Sequence, residues 1–140
     1  MSRRAVAALL RGRRRAERLM ILRCTIRRVT GETTDRNTGK VVETTELVYP
    51  NADHPVGRCK ITSYEGHEQE RDVAGWSATQ QRLAIHLPVG AYDVRVGDII
   101  EITESPLDPR LVGRKYRTAQ EAPYRTFATA DRVFIDSHAK

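Results

Sequence analysis

Apolar residues recur along this chain with two different periods. From Ser2 to Met20 the spacing is helical. At about 100° per residue, Ala5, Val6, Leu9, Leu10, Ala16 and Met20 share one sector, and Arg3, Arg4, Arg11, Arg14, Arg15 and Arg18 share a second. Only Arg13 intrudes on the apolar side. Ser2 is a suitable N-cap, and a stretch rich in Ala, Leu and Arg without Pro favours the helix. Gly12 is its one weak position, costing about 1 kcal/mol relative to Ala.

Past Met20 the period shortens to two. Cys24 to Thr30 is β-branched and weakly alternating, with Ile26 and Val29 directed at a core. The turn signal Asp35-Arg36-Asn37-Thr38-Gly39 follows, and Val41 to Tyr49 resumes a strand, so the pair predicts a β-hairpin. Pro50, Asn51, Asp53 and Pro55 break the chain before a short strand from Val56 to Thr62. Ser63 to Ala78 is polar and reads as a long loop holding the only tryptophan, Trp76. From Thr79 to Leu87, Gln81, Leu83, Ile85 and Leu87 share one face, while Gln80, Arg82 and His86 share the other. Further strands are expected over Val94–Thr103 (led in by a turn at Val96-Gly97-Asp98), Lys115–Ala119 and Thr126–Ile135.

This pattern predicts a mainly β protein, a small antiparallel β-barrel of six to seven short strands or a small sandwich, with an amphipathic N-terminal α-helix. Residues 1–22 form the basic helix, and 23–140 form the barrel domain with its long loop at 63–78. There is no βαβ alternation and no internal repeat.

Composition fits that plan. At 140 residues the chain suits one domain. Aromatic residues make up only 6%, so the core must be mostly aliphatic. The net charge of +6 conceals an asymmetry: residues 1–28 hold ten arginines and one acid (+9), leaving −3 for the remainder. A basic segment of this kind meets nucleic acid, an anionic membrane or an acidic protein surface. The apolar face has no Trp or Phe to anchor it in a bilayer, and no apolar run approaches the ~18 residues needed to cross one. A mitochondrial presequence has a similar make-up. With the segment in place behind Met1, it is read here as a retained helix. Such a helix could simply pack on the barrel with its arginines solvated. A dense face of one sign repels itself, however, which favours contact with DNA phosphates or an acidic partner.

No catalytic constellation is expected, and the reading is of a non-enzyme without cofactor or metal. His67 lies near Glu65, Glu68 and Glu70, but the spacing is not that of a metal site. There is no G-x-S-x-G elbow, P-loop or dinucleotide fingerprint. Cys24 and Cys59 lie in strand-like stretches, as buried thiols do. The aromatic residues are scattered singly and form no base-stacking platform.

The order of segments carries a resemblance. An opening "MSRRAVAALLRGRRRAERLM" leads into "CTIRRVTGETTDRNTGKVVETTELVYPN", then "GRCKI" and "LAIHLPV", "VRVGDIIEITESPLDPRLVGRKYRT" and "TFATADRVFI". This resembles a family of small proteins from phages and prophages of actinobacteria, similar in plan to the bacteriophage head-closure, or stopper, group. The resemblance implies a homo-oligomeric ring, six- or twelve-fold, in the virion neck, assembled in the bacterial host cytoplasm. Its implied partners are the adaptor or portal on the head side, the tail terminator or tail tube on the other, and double-stranded genomic DNA in the channel. No membrane is implied. Arg3, Arg4, Arg11, Arg14, Arg15 and Arg18 would contact DNA or a partner. Tyr64, His67, Glu68, Arg71 and Trp76 are candidates for a loop facing the channel or an interface, and the hairpin tip at Asp35 to Gly39 is their rival. The alternatives are a free cytosolic nucleic-acid-binding barrel and another connector subunit, a tail terminator or adaptor.

Overall fold

The structure is a computed structural model that describes residues 2–73, 76–120, 124 and 126–137, with side chains described outside 64–82. Helix α1 (Arg3–Leu19) begins where expected, the Ser2 hydroxyl accepting the Ala5 N–H at 3.2 Å. Seven strands follow: β1 (Leu22–Thr34), β2 (Val41–Tyr49), β3 (Arg58–Val73), β4 (Trp76–Leu87), β5 (Ile99–Glu104), β6 (Lys115–Thr118) and β7 (Asp131–Ser137). A single 3-10 turn, Pro109–Leu111, links β5 to β6.

Six of these strands close an antiparallel barrel in the order β1-β3-β4-β7-β6-β5 and back to β1. The seventh, β2, pairs with β1 alone. Alternation supplies the core. Cys24 and Ile26 from β1, Cys59 from β3, Ile85 and Leu87 from β4, Ile100 and Ile102 from β5, and Val133 and Ile135 from β7 are all buried. Tyr116 and Tyr49 join this core, the latter donating its hydroxyl to the Arg58 carbonyl at 2.7 Å. Burying each such side chain contributes roughly 1.5–3 kcal/mol. The predicted inward face of β4 holds at Ile85 and Leu87, which lie opposite Val133 and Asp131.

The seam between β1 and β3 is short. Leu22 pairs with Cys59 and Arg23 with Arg58, and the Cys24 N–H adds one bond to the Gly57 carbonyl at 3.0 Å. Cys24 and Cys59 are both free and buried at this seam. Their mutual hydrogen bond, then burial, pushes the Cys24 thiol well up from its ordinary pKa.

The structure corrects the sequence reading at three places. Of residues 63–78, expected as a loop, 63–73 continue β3 and 76–78 belong to β4, the two strands forming a long hairpin in which Gln69 pairs with Gln80 and Val73 with Trp76. The stretch is mostly polar, and its few apolar residues do not alternate, so no pattern marked its strands. Strand β5 starts at Ile99 rather than Val94, directly behind the turn expected at Val96-Gly97-Asp98. The Asp98 carboxylate accepts the Arg95 N–H at 3.1 Å, and Gly97 has φ +91°, which together form a turn before β5. The last strand begins at Asp131 rather than Thr126.

Candidate functional site

The arginine helix is seated by its opposite face. Leu9, Gly12, Arg13, Ala16 and Glu17 are half-buried and Met20 is fully buried, a spacing of three and four that marks the docked stripe. Arg13, the residue out of place in the amphipathic pattern, lies on this stripe and donates its Nε to the Ala128 carbonyl at 3.1 Å. A Cβ on Gly12 would meet the Thr129 methyl at 3.1 Å, so the helix approaches the 126–130 loop closely where it lacks a side chain. Asp131, beside this contact, has its carboxyl pushed up by burial, opposed by the Gly90 N–H and Arg13. On the wheel the docked stripe centres about 180° from the second arginine sector. Arg3, Arg4, Arg11, Arg14, Arg15 and Arg18 are accordingly all exposed. No ion pair joins any of them to an acid among the described residues.

The second feature is a pair of hairpins leaving the barrel. Strand β1 runs on past its barrel partner β5, and from Arg28 to Thr34 it pairs only with β2. Strand β3 runs on past β1 and carries β4 with it. Because β1 and β3 are antiparallel, the two extensions depart in opposite directions. On the β1–β2 hairpin, residues 31–44 are exposed on both faces. Its tip is the expected turn: Asp35 accepts the Asn37 N–H at 2.9 Å and the Thr38 hydroxyl at 3.1 Å, and Gly39 sits at φ +70°.

Of the loop candidates, Tyr64 pairs with Arg82, Arg71 with Ala78 and Trp76 with Val73. His67 and Glu68 fall in the register shift between Tyr64 and Gln69. These five lie along the second hairpin, and their side chains are outside those described.

Sequence reasoning missed the device at the base of the first hairpin. Arg28 donates its Nε to Asp98 Oδ1 at 3.0 Å, and its Nη2 to Asp98 Oδ2 at 3.1 Å and the Asp93 carbonyl at 2.7 Å. Asp98 is 1% exposed. Seventy positions separate the pair, and one more arginine among ten gave no signal. Nearby, the buried hydroxyls of Tyr92 and Thr118 lie close together, short of ordinary hydrogen-bond geometry.

On the barrel wall His86 pairs in register with Lys60 on β3 and Arg132 on β7, and its Nε2 lies 3.2 Å from the Thr62 hydroxyl. Burial first, then Lys60 and Arg132, lower its pKa to about 4. The folded protein therefore refuses a proton that the unfolded chain takes up below about pH 6.5, and stability falls as pH drops from 6.5 toward 4. The ring is partly exposed, so solvent screening reduces the effect to about 1 kcal/mol at pH 5. Urea unfolding at pH 7.5 and pH 5 should show wild type losing that much more than His86→Gln. An equal loss in both proteins would refute this cause.

No three His, Cys, Asp or Glu side chains gather as a metal site among the described residues. Two hollows open at the surface: one of about 370 Å³ lined by residues 126–130 and Arg132, and one of about 110 Å³ bounded by Glu17, Tyr49, His54 and Arg58, of which only the second is well below the usual size of a ligand pocket. No helix among the described residues is long and apolar enough to cross a membrane. The exposed features that stand out are a cationic helix face and two hairpins.

A family model matches residues 12–136, from the middle of α1 to the penultimate residue of β7. The chain belongs to the DUF6093 family, a family of unknown function. No curated protein and no solved structure matches it. The match takes in the whole barrel, both hairpins and Arg14, Arg15 and Arg18, and it begins after Arg3, Arg4 and Arg11.

Proposed function

We propose that this chain is a non-enzymatic structural subunit of a tailed bacteriophage particle, a head-closure ring protein in the virion neck. In this reading copies of the chain form a ring below the portal and adaptor, retain the packaged genome and receive the tail. The observation that carries it is the pair of oppositely directed hairpins on a closed barrel, the first exposed on both faces. A two-stranded ribbon in water is marginal by itself, so one extending this far suits a protein whose neighbours cover it. Opposed extensions also suit a subunit that must hold one structure on the head side and another on the tail side. The resemblance in segment order supplies the phage context. The exposed arginine face calls for an anionic partner within that assembly.

Electron microscopy of the assembled particle tests the reading. The expected result is a ring of this chain between portal and tail tube, and deletion of its gene should give tailless heads that lose their DNA. Particles that lack the protein yet keep DNA and tails would overturn it.

A second reading rests on the arginine face alone: a free barrel that grips nucleic acid through six exposed guanidinium groups. Phosphate-driven binding weakens steeply with salt. The second reading therefore expects a monomer that binds duplex DNA in low salt and joins no particle.

A further inference from the structure

We infer that the β1–β2 hairpin of one copy of this chain seats, through Glu32 and Glu43, on the arginine face of α1 of a second copy. The inference rests on the ring reading and names its subunit contact. Glu32 and Glu43 are direct register partners, so both carboxylates stand side by side on one face of the ribbon. Both are exposed, and neither has an ion-pair partner among the described residues. Like charges placed directly opposite each other destabilise an antiparallel pair. A cationic surface laid over that face removes the cost.

Alternation along β2 places Val41, Glu43, Thr45 and Leu47 on the same face. Val41 is 61% exposed and Leu47 46%, so an aliphatic side chain lies to each side of the carboxylate pair. The arginine helix offers the complement. Arg11, Arg14 and Arg18 are exposed at spacings of three and four, and guanidinium groups bind carboxylates in a bidentate manner. Val6 and Leu10, 41% and 45% exposed, border that face on the apolar side. Each surface thus carries a charged centre of opposite sign and an aliphatic margin, with Arg27, the register partner of Leu47, at the far edge of the hairpin face.

The two surfaces do not meet within one chain. The helix joins β1 at Leu22, and the glutamates lie near the other end of that strand. At about 3.3 Å per residue, Glu32 sits roughly 30 Å further along. The contact is therefore between copies, and it is heterologous: hairpin to helix, hairpin to helix. Contacts of that kind generate a ring when the rotation closes.

Sedimentation of the purified full-length protein at ~0.15 M salt tests this with a charge swap. Four proteins are compared: wild type, Glu32→Lys/Glu43→Lys, Arg11→Glu/Arg14→Glu, and the two pairs of changes combined. All four positions are exposed, and unchanged circular dichroism shows that the barrel has folded. Wild type should self-associate, each single reversal should raise the dissociation constant at least about tenfold, and the combination should restore most of it. Wild type that stays monomeric at high concentration would overturn the inference, as would reversals that leave association unchanged or fail to rescue each other. In those cases a neck ring seen by microscopy would leave the connector reading standing with a different contact. Binding of a short DNA duplex by the helix in the same salt, undiminished by the presence of associated copies, would also overturn it.

Discussion

Arg28→Ala should lower the unfolding free energy by about 3 kcal/mol, toward the lower end of what breaking a buried ion pair costs. The cause is what remains behind. Asp98 is 1% exposed and would keep the Arg95 N–H while losing both guanidinium bonds. A buried carboxylate without its counter-ion is far worse than no carboxylate at all. The double variant Arg28→Ala/Asp98→Ala should thus be more stable than Arg28→Ala alone, although it has lost more contacts. Urea unfolding followed by circular dichroism measures both. If the double variant equals the sum of the two single changes, the pair is not coupled and this account fails. The site matters beyond stability because Arg28 stands where β1 leaves β5. Its bonds to Asp98 and Asp93 fix the root of the exposed hairpin.

Gly57→Ala should cost roughly 3 kcal/mol, and the seam between β1 and β3 is the reason. Gly57 has φ +77°, where a Cβ costs about 1–2 kcal/mol by itself. A Cβ there would also lie 2.9 Å from the Cys24 carbonyl oxygen, a backbone atom that cannot turn aside. Moving it strains the bond from the Cys24 N–H to the Gly57 carbonyl, in a seam with only two paired positions besides. Gly39→Ala is the control. That residue has φ +70° at the hairpin tip with nothing within 4 Å of the added carbon, so it should lose only the conformational part. Equal melting temperatures for the two variants would show that the seam accommodates the methyl group.

The sequence was a good guide wherever one side of an element is wet and the other dry. Ser2, the arginine sector and the aliphatic stripe marked α1 to within a residue, and Ile85 and Leu87 marked the inner wall of β4. The Asp35–Gly39 turn gave the first hairpin its tip. Legibility failed where that contrast vanishes: residues 63–73 and 76–78 extend the hairpin but show no alternation in their mostly polar sequence. It failed also for pairs made only by closure. The turn at Val96-Gly97-Asp98 was legible, but nothing local in it says that Asp98 will meet Arg28 across the barrel. The facing of Glu32 and Glu43 depends on a bulge at Thr30, which sets the register and is not written in the pattern. The amphipathic pattern located the arginine face but was silent on its partner.

The brief seam between β1 and β3 has a mechanical meaning. Each of its strands belongs to a different hairpin, and a pull on the two hairpins draws the strands apart along their own axes. Strand β1 is also held by β5 over five paired positions, and β3 by β4 along most of its length. Under tension the seam is the ladder with the fewest bonds to lose. When it parts, no strand is orphaned. The barrel unrolls into one continuous sheet, β2-β1-β5-β6-β7-β4-β3, with every other ladder intact and free to close again when the load is removed.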